Sequence, residues 1–297
     1  MEATMERAGI SPSGFRLPDE THIGRIRLQV ADVERSTAYY GSVLGMRVIS
    51  RAEAAVQLGA HGEDRVLLEL VEKPGVRAVP RRGLLGLYHF AVLLPDRAAL
   101  GRFVLHLSEI GEYAGMSDHL VSEAVYLTDP DGLGIEVYAD RPRESWRVVD
   151  HQLEMATKPL DVASVVAAGA DRRWDGLPSG TVIGHVHFYV GNIDKASSFY
   201  HSGLGLDKVV WSYPGALFMS AGGYHHHVGV NTWAAGASPA TDDDARLVEW
   251  ELLVPDSGAV QRAAASIATA GYAIENDGDA LVASDDWGIR LRLRPIA

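Results

Sequence analysis

The feature that most constrains the fold of this chain is an internal repeat. Residues 23–46 read IGRIRLQVADVERSTAYYGSVLGM and residues 183–206 read IGHVHFYVGNIDKASSFYHSGLGL, with seven identical positions at a constant offset of 160. Each segment predicts a strand with alternating apolar residues, a turn, and a helix that ends at Leu-Gly. Because a long ungapped repeat indicates a duplicated structural unit, the chain is expected to contain two related halves.

A second pair of similar segments is related by the same offset of 160. LYHFAVLLPD begins at Leu87 and LVEWELLVPD begins at Leu247, and each runs into a predicted helix that ends at a glycine. Further on, GIEVY (134–138) matches GIRLR (288–292) at an offset of 154, which indicates a short deletion in the second half.

Each half is itself duplicated, because a strand-plus-helix start occurs near residues 23, 86, 183 and 247 and is followed each time by about three short strands. The chain is therefore predicted to be an α+β protein of four βαβββ modules. These modules span residues 21–80, 84–140, 181–236 and 245–297. The halves 21–140 and 181–297 are expected to be two domains. Residues 1–20 are predicted as a flexible lead-in and residues 141–180 as an ordered linker with one short helix.

Composition excludes several classes of function. The chain has no cysteine, so disulfides, thiolate nucleophiles and iron–sulfur clusters are ruled out, and any bound metal must use His, Asp or Glu. A net charge of -12 disfavours nucleic acid as a partner. No apolar run approaches the roughly 20 residues of a membrane helix, and the N-terminal residues do not resemble a secretory signal. The expected location is cytoplasmic, with no membrane partner.

Four strings carry a resemblance to a known family: GLYHFAVLLPDRAAL, SDHLVSEAVYLTDPDGLGIEVYADRP, IGHVHFYV and SAGGYHHHVGVNTW. With them, nearly the whole chain beyond residue 20 resembles the vicinal oxygen chelate superfamily, which includes glyoxalases, bleomycin-resistance proteins and extradiol dioxygenases. Within it the chain is similar to four-module catechol 2,3-dioxygenases. The resemblance implies that modules pair into two cup-shaped sheets, and that metal ligands come from the first and last strands of the modules.

The resemblance also assigns ligand-like positions in this chain. On the four first strands these positions hold Arg25, His89, His185 and Glu249. On the four last strands they hold Glu69, Glu136, His227 and Arg290.

Which modules pair decides what these residues can do. If the second module pairs with the third, His89, Glu136 and His185 come together as the two-His-one-carboxylate set of non-haem Fe(II) oxygenases. The first and fourth modules, with Arg25 and Arg290, would then form a pair without metal. This pairing is favoured, because it reproduces the ligand set that the resemblance implies, and pairing in chain order is the alternative. A lone histidine on an apolar strand is more often structural, but a glutamate on an apolar strand is costly to bury unless it is paired or metal-bound.

The resemblance implies that further residues move protons and line the substrate site. An acid/base histidine is expected from the tract 225–227. Strand alternation puts His225 and His227 on one face, which favours His227 facing the metal with His225 behind it. His119 is expected to line the substrate, together with Tyr126, which precedes Glu136 by ten residues.

The predicted function is that of an Fe(II)-dependent extradiol dioxygenase that cleaves a catechol-like diol with O2, in the breakdown of aromatic compounds. Mn(II) is an alternative metal, since the same ligands suit it. A glyoxalase-like lyase or isomerase, with His227 as a fourth ligand and no use of oxygen, is a second interpretation. A metal-free protein that binds small molecules is a third. The sequence leaves a homo-oligomer open.

Overall fold

The computed structural model describes residues 8–278 and 280–296. The strands are β1 (His22–Val30), β2 (Arg47–Ala52), β3 (Ala55–Gly59), β4 (Leu68–Glu72), β5 (Gly86–Leu93), β6 (Gly115–Asp118), β7 (Ser122–Thr128), β8 (Gly134–Asp140), β9 (Val148–Val149), β10 (Gln152–Leu153), β11 (Val182–Tyr189), β12 (Asp207–Val210), β13 (Ala216–Ser220), β14 (Val228–Asn231), β15 (Arg246–Val254), β16 (Ile274–Asp277), β17 (Ala280–Ser284) and β18 (Arg290–Pro295). The α-helices are α1 (Val33–Ser42), α2 (Arg97–Ile110), α3 (Val162–Ala168), α4 (Ile193–Ser197) and α5 (Ser257–Thr269), and a π-helical turn (Ser198–Gly203) continues α4.

Two eight-stranded sheets contain all the strands of the four modules. The inner sheet joins the second and third modules in the order β12-β13-β14-β11-β5-β8-β7-β6. The outer sheet joins the first and fourth modules in the order β16-β17-β18-β15-β1-β4-β3-β2. The α+β class, the paired cup-shaped sheets and the pairing of the second module with the third are thus confirmed. Each sheet takes one module from each half of the chain.

Alternation along the central strands gives each sheet a polar concave face and an apolar face. On β11, Val186 and Phe188 belong to the main hydrophobic core, whereas His185 and His187 point the other way, into the cup of the inner sheet. The same alternation puts Arg25 and Arg27 of β1 in the cup of the outer sheet. The apolar faces of the two sheets pack against each other, and the concave faces carry the polar side chains.

Aromatic side chains join the two sheets through this shared core. Phe188 of the inner sheet packs against Trp250 of the outer sheet with ring centroids 5.9 Å apart. Tyr40 of α1 packs against Phe90 of β5 at 6.4 Å. All four side chains are fully buried, so the sheets share one core and support each other.

The helices begin at the residues that capping chemistry favours. The side chains of Asp32, Asp96 and Asp256 each accept a hydrogen bond from the backbone N–H three residues later, at the start of α1, α2 and α5. Gly111 ends α2 in the left-handed conformation, with φ of 71°. The sequence predicted that this helix would end at a glycine. None of the helices within the described residues combines the length and the apolar character that crossing a bilayer requires.

The lead-in differs from its prediction as a flexible segment. From residue 8 onward it packs against the third module: Ile10 and Lys208 exchange two backbone hydrogen bonds of 2.8 and 3.0 Å, and Leu17 is buried. Arg16 adds a 2.7 Å ion pair to Asp207. The segment covers the free edge of β12, whose backbone groups would otherwise be unpaired. These hydrogen bonds explain why the segment is ordered. Residues 1–7 lie outside the described residues.

The linker between the halves covers the opposite edge of the inner sheet. It contains the predicted short helix, α3, and the two-stranded ribbon of β9 and β10. Asp118 of β6 and Lys158 of the linker exchange two backbone hydrogen bonds of 2.9 Å each. The linker is therefore part of the wall of the inner cup.

Two equivalent tyrosines hold the inner and outer sheets together. Tyr40 of α1 donates a 3.0 Å hydrogen bond to Asp129, in the turn before β8. Tyr200 of the third module donates an equivalent bond of 3.0 Å to Asp285, in the turn before β18. Both pairs are buried, so loss of either hydroxyl leaves a carboxylate oxygen without its partner.

We expect Tyr40→Phe and Tyr200→Phe each to lower the free energy of unfolding by about 1–3 kcal/mol, because a buried acceptor loses its donor. Tyr39→Phe is the matched control: its hydroxyl is buried but has no hydrogen-bond partner within residues 8–278 and 280–296. Its stability should be unchanged or slightly higher. Urea denaturation followed by circular dichroism measures all three, and equal stabilities for the three variants would contradict the role given to these bonds.

Candidate metal centre

Three buried side chains converge where β5, β8 and β11 lie side by side. Nε2 of His89 lies 3.0 Å from Oε2 of Glu136, and Nε2 of His185 lies 3.1 Å from the same oxygen. The potential ligand atoms of the three residues all lie within 4.8 Å of one another. The structure thus brings together the three residues that the sequence analysis named as metal ligands.

The hydrogen-bond state of the two imidazoles fits a cation between them and the carboxylate. Neither ring nitrogen of His89 has a hydrogen-bond partner within the described residues, although its Nε2 is close to Glu136. Nδ1 of His185 also has none within them. Buried polar atoms are nearly always hydrogen-bonded, so a ring that points a bare nitrogen at a carboxylate suits a ligand better than a structural residue. Two His and one Glu are a donor set for Fe(II), Mn(II) or Zn(II).

The charges of the site also suit a divalent cation. Burial lowers the pKa of His185 to about 4, so its imidazole is neutral at neutral pH, as a ligand must be. Burial by itself would raise the pKa of Glu136, but its interactions with His185 and His89 outweigh burial and hold that pKa well below the usual value. The cluster therefore offers the neutral imidazole of His185, the imidazole of His89 and one carboxylate.

The strand register identifies the fourth ligand-like position of the inner cup. Ala91, two residues after His89, lies opposite Glu136 on β8. The equivalent residue of the third module, His187, lies opposite Gly229 on β14. The assignment of His227 to this position was therefore wrong by two residues. A glycine has no side chain to bind a metal, so the inner cup offers three potential ligands from its four positions.

The outer cup holds ion pairs at its four equivalent positions. They are Arg25, Glu69, Glu249 and Arg292. Nη1 of Arg25 lies 2.5 Å from Glu69, and Nε of Arg292 lies 2.6 Å from Glu249. The charged side chains at these positions are thus paired with one another.

Arg290, which the sequence analysis placed in the outer cup, lies two residues from that position and pairs with Glu275 at 3.2 Å. The reason lies in the turns: Asp129 N donates to Leu133 O, and Asp285 N donates to Ile289 O. These equivalent turns relate the last strands by an offset of 156, whereas the similarity of GIEVY to GIRLR had suggested 154.

A cavity of about 320 Å³ opens beside His89 and Glu136. Its walls are mainly aromatic, and none of the described residues that line it is Lys or Arg. The remaining lining residues are Tyr88, Ser117, His119, Ser122, Tyr126, Met155, Ala156, Thr157, His187, Tyr213, Phe218, His226 and Trp233. Such a pocket suits an uncharged aromatic molecule next to the cluster.

The histidine tract presents His226 to this cavity, not His227 as predicted. The His226 ring packs against His185 with centroids 4.0 Å apart and against Phe218 at 4.9 Å. Nδ1 of His227 instead accepts a 3.2 Å hydrogen bond from the backbone N–H of Ala221. The prediction assumed an extended strand through the tract, but the chain bends at residues 225 and 227, and β14 begins only at residue 228. Alternation therefore does not apply there.

His119 and Tyr126 lie together on the opposite wall, as expected. Nδ1 of His119 lies 2.8 Å from the carbonyl oxygen of Ala156 and must donate to it, because a carbonyl only accepts. Nε2 of the same ring lies 2.6 Å from the Tyr126 hydroxyl, within hydrogen-bond distance. Tyr126 also lies directly across the strand pair from Glu136. This pair therefore connects the cavity wall to the metal centre.

Sequence reasoning missed most of the cavity wall. Tyr88 precedes His89 on β5, but its ring packs against His187 and Trp233 in the pocket. The linker residues 155–157 carried no motif, and they reach the cavity through the contacts of Ala156 with His119 and of Thr157 with Tyr213. The position of Tyr88 next to a predicted ligand could have indicated that it lines the cavity. Nothing in the sequence of the linker indicated the same for residues 155–157.

Comparison with known proteins agrees with this fold and site. Residues 22–137 match the Glyoxalase/Bleomycin resistance protein/Dioxygenase superfamily. A Bacillus subtilis (strain 168) protein named Catechol-2,3-dioxygenase is 42% identical over 261 residues, which cover 86% of this chain and 91% of that protein. This chain therefore belongs to the glyoxalase/bleomycin resistance protein/dioxygenase superfamily. The prediction of an enzyme of the catechol 2,3-dioxygenase-like kind is confirmed by the same relationship.

Solved structures share the fold. A candidate dioxygenase from Bacillus subtilis subsp. subtilis str. 168 has a TM-score of 0.65 at 14% identity, over 95% of this chain and 86% of that one. Glyoxalase I from Zea mays has a TM-score of 0.54 at 15% identity, over 92% of each chain. At these identities the similarity concerns the architecture alone.

We expect Gly229→Ala to lower the free energy of unfolding by about 1–3 kcal/mol, because an added methyl group overpacks the cup. Its Cβ would lie 2.9–3.1 Å from three atoms of the His187 ring, which Asn231 and the neighbouring rings hold in place. Gly236→Ala is the control, since a Cβ there meets nothing within 4 Å. Thermal unfolding of both variants tests the difference, and equal stability would show that His187 moves aside freely.

Proposed function

We propose that the protein is an Fe(II)-dependent extradiol dioxygenase that cleaves a catechol-like diol with O2. The observation that carries the proposal is the meeting of His89, His185 and Glu136 at the wall of an aromatic cavity. The 42% identical relative, which is named Catechol-2,3-dioxygenase, supports the same reaction and substrate class. An ion held by these three residues would keep three coordination positions open for a diol and dioxygen, and iron would supply the electron transfer between them.

The cavity walls would hold the substrate ring beside the cluster. Tyr88, Phe218 and Trp233 provide apolar surface around a ring of single-catechol size. With Lys and Arg absent from the described lining, a substrate with a carboxylate substituent would be buried without a countercharge. The walls therefore favour an uncharged catechol.

Two groups in the cavity would handle protons. His226 lies next to His185, and burial, together with the neighbouring imidazoles, lowers its pKa well below the usual value, so its ring is neutral. A neutral imidazole can take the proton that a diol hydroxyl must lose and return it to the product. On the opposite wall, the Tyr126 hydroxyl is hydrogen-bonded to His119 and can keep a substrate oxygen oriented.

The register of β14 argues against a glyoxalase-like four-ligand site. That interpretation required His227 as the fourth ligand, but the equivalent position is Gly229 and His227 bonds to the backbone of Ala221. A metal-free binding protein is disfavoured by the imidazole nitrogens of His89 that lack partners within the described chain. The choice between Fe(II) and Mn(II) rests on metal analysis, because both accept these ligands.

We expect His89→Ala and His185→Ala to lose the bound metal, which should fall from about one ion per chain, as a single two-His-one-carboxylate site requires. Oxygen uptake with catechol and formation of the yellow ring-opened product should be lost with it. Metal analysis after reconstitution with Fe(II), and an oxygen electrode, measure the two effects.

The matched control is Glu249→Gln, which alters the residue of the outer cup that corresponds to His89. It should keep both the metal and the activity, because the outer cup is balanced by its own ion pairs. Full retention of metal and activity in both histidine variants would defeat the proposed site, and metal-dependent turnover without oxygen uptake would defeat the proposed reaction.

We expect His226→Gln to keep its metal but to lower kcat by about 100- to 10,000-fold, the usual contribution of a general acid/base. His227→Gln should cause a much smaller loss, because that ring does not line the cavity. Steady-state kinetics of the two iron-loaded variants, with metal content measured in parallel, separate them. A larger loss in His227→Gln would restore the original prediction.

A further inference from the structure

The linker between the two halves crosses the inner cup as a strap, which we define as residues 152–158. At one end of the strap, Lys158 and Asp118 of β6 exchange two backbone hydrogen bonds of 2.9 Å each. At the other end, Oε1 of Gln152 accepts hydrogen bonds of 2.7 and 2.9 Å from the backbone N–H groups of residues 211 and 212, which follow β12. Because β6 and β12 are the opposite edge strands of the inner sheet, the strap spans the cup from edge to edge.

The middle of the strap lines the cavity, and two of its residues attach it to the cavity walls. The carbonyl oxygen of Ala156 accepts a hydrogen bond from Nδ1 of His119 at 2.8 Å. The Thr157 hydroxyl lies 2.9 Å from the hydroxyl of Tyr213, in the loop between β12 and β13. The strap is therefore fixed to the second module on one side of the cavity and to the third module on the other.

Met155 is the strap residue that gives the cavity a long apolar side chain. It is half-buried, lines the cavity, and packs against the small apolar cluster that contains Phe218, another residue of the cavity wall. A methionine side chain is unbranched and adapts its shape to the groups around it. Met155 is therefore the apolar contact between the linker and whatever occupies the cavity.

The cavity is larger than one aromatic ring needs. Its volume is about 320 Å³, whereas an apolar cavity of about 150 Å³ is enough to enclose benzene. A diol ring held beside His89 and Glu136 would therefore leave roughly half of the space. Met155, Phe218 and Trp233 are among the residues that enclose the cavity, and none of its described lining residues is Lys or Arg. The remaining space thus suits an apolar group.

We infer that Met155 is a specificity-determining residue, which bounds the space for an apolar substituent on the ring of the diol. The preferred ligand is then a catechol with an apolar substituent of up to one further ring, and not catechol itself. The selection by size concerns binding and stands on the cavity. The cleavage of the selected diol rests on the proposed function.

The fold separates this selection from the metal centre. His89, Glu136 and His185 belong to strands β5, β8 and β11, whose positions are fixed by backbone hydrogen bonds. Met155 belongs to the linker, outside the eight strands of the inner sheet. Connecting segments tolerate substitution better than central strands do. A change at Met155 should therefore alter the shape of the cavity without displacing the three clustered residues.

The test compares the binding of catechol, 3-phenylcatechol and 4-phenylcatechol to the full chain with Fe(II) added, by calorimetric titration without oxygen. At least one phenylcatechol should bind the wild type about 10-fold or more tightly than catechol, because a further apolar group enters an apolar space. Met155→Trp should abolish this preference and leave the affinity for catechol nearly unchanged. Met155→Phe is a smaller step in the same direction, and it decides the test if tryptophan disturbs folding.

Two variants serve as controls. Met155→Leu nearly conserves the side-chain volume and should keep the preference for the phenylcatechol. Val149→Ala shortens an exposed residue of the same linker that does not line the cavity, and it should bind all three diols as the wild type does. Circular dichroism spectra of the four variants establish that each of them is folded.

The outcomes distinguish this inference from the proposed function. Weaker binding of both phenylcatechols than of catechol to the wild type would overturn the inference, as would an unchanged preference in Met155→Trp and Met155→Phe. If the protein still consumes oxygen with catechol, the proposed function stands without it. The expected preferences in a protein that consumes no oxygen with any of the three diols would support the role of Met155 and overturn the proposed reaction. Binding of none of the diols would overturn both.

Discussion

The antiparallel pairing of β5 with β11 is the contact on which the rest of the site depends. It sets His187 directly opposite His89 and His185 opposite Ala91, so the imidazoles of two separate modules face one cup. The parallel pairing of β8 with β5 then brings Glu136 alongside. Each ligand is fixed by a backbone ladder and not by a loop, which limits the motion of atoms that must converge within a few ångströms.

The inner and outer cups of this chain have the same architecture but differ in the charged side chains at equivalent positions. In the inner cup, two imidazoles and a carboxylate form a group of potential ligands that a cation would satisfy. In the outer cup, two arginines and two glutamates at the equivalent positions satisfy each other. Because a buried charge is tolerated only with a partner, the outer cup pairs its charges with one another, whereas the carboxylate of the inner cup suits a cation.

Much of the site was predictable because repeats transfer positions. The offset of 160 relates His185 to Arg25 and His89 to Glu249, and the ligand pattern of the resembled family then favoured the pairing of the second module with the third. The predictions from sequence matches and strand alternation failed where the chain departs from regular strands. The last strand of the fourth module is shifted by its turn, so Arg292 and not Arg290 faces the cup. Bends at residues 225 and 227 likewise turned His226 inward, against an alternation that only an extended strand obeys.

The sequence alone determined the module count and the strands and helices, because hydrophobic alternation and repeat offsets are local properties of the chain, and its resemblance to a known family pointed to the three clustered residues. Only the tertiary structure decided which face each histidine of the tract presents, that Gly229 leaves the cluster with three potential ligands, and that the linker closes the cavity. These features depend on register and on contacts between residues far apart in sequence, such as His119 with Ala156, and no local pattern encodes them.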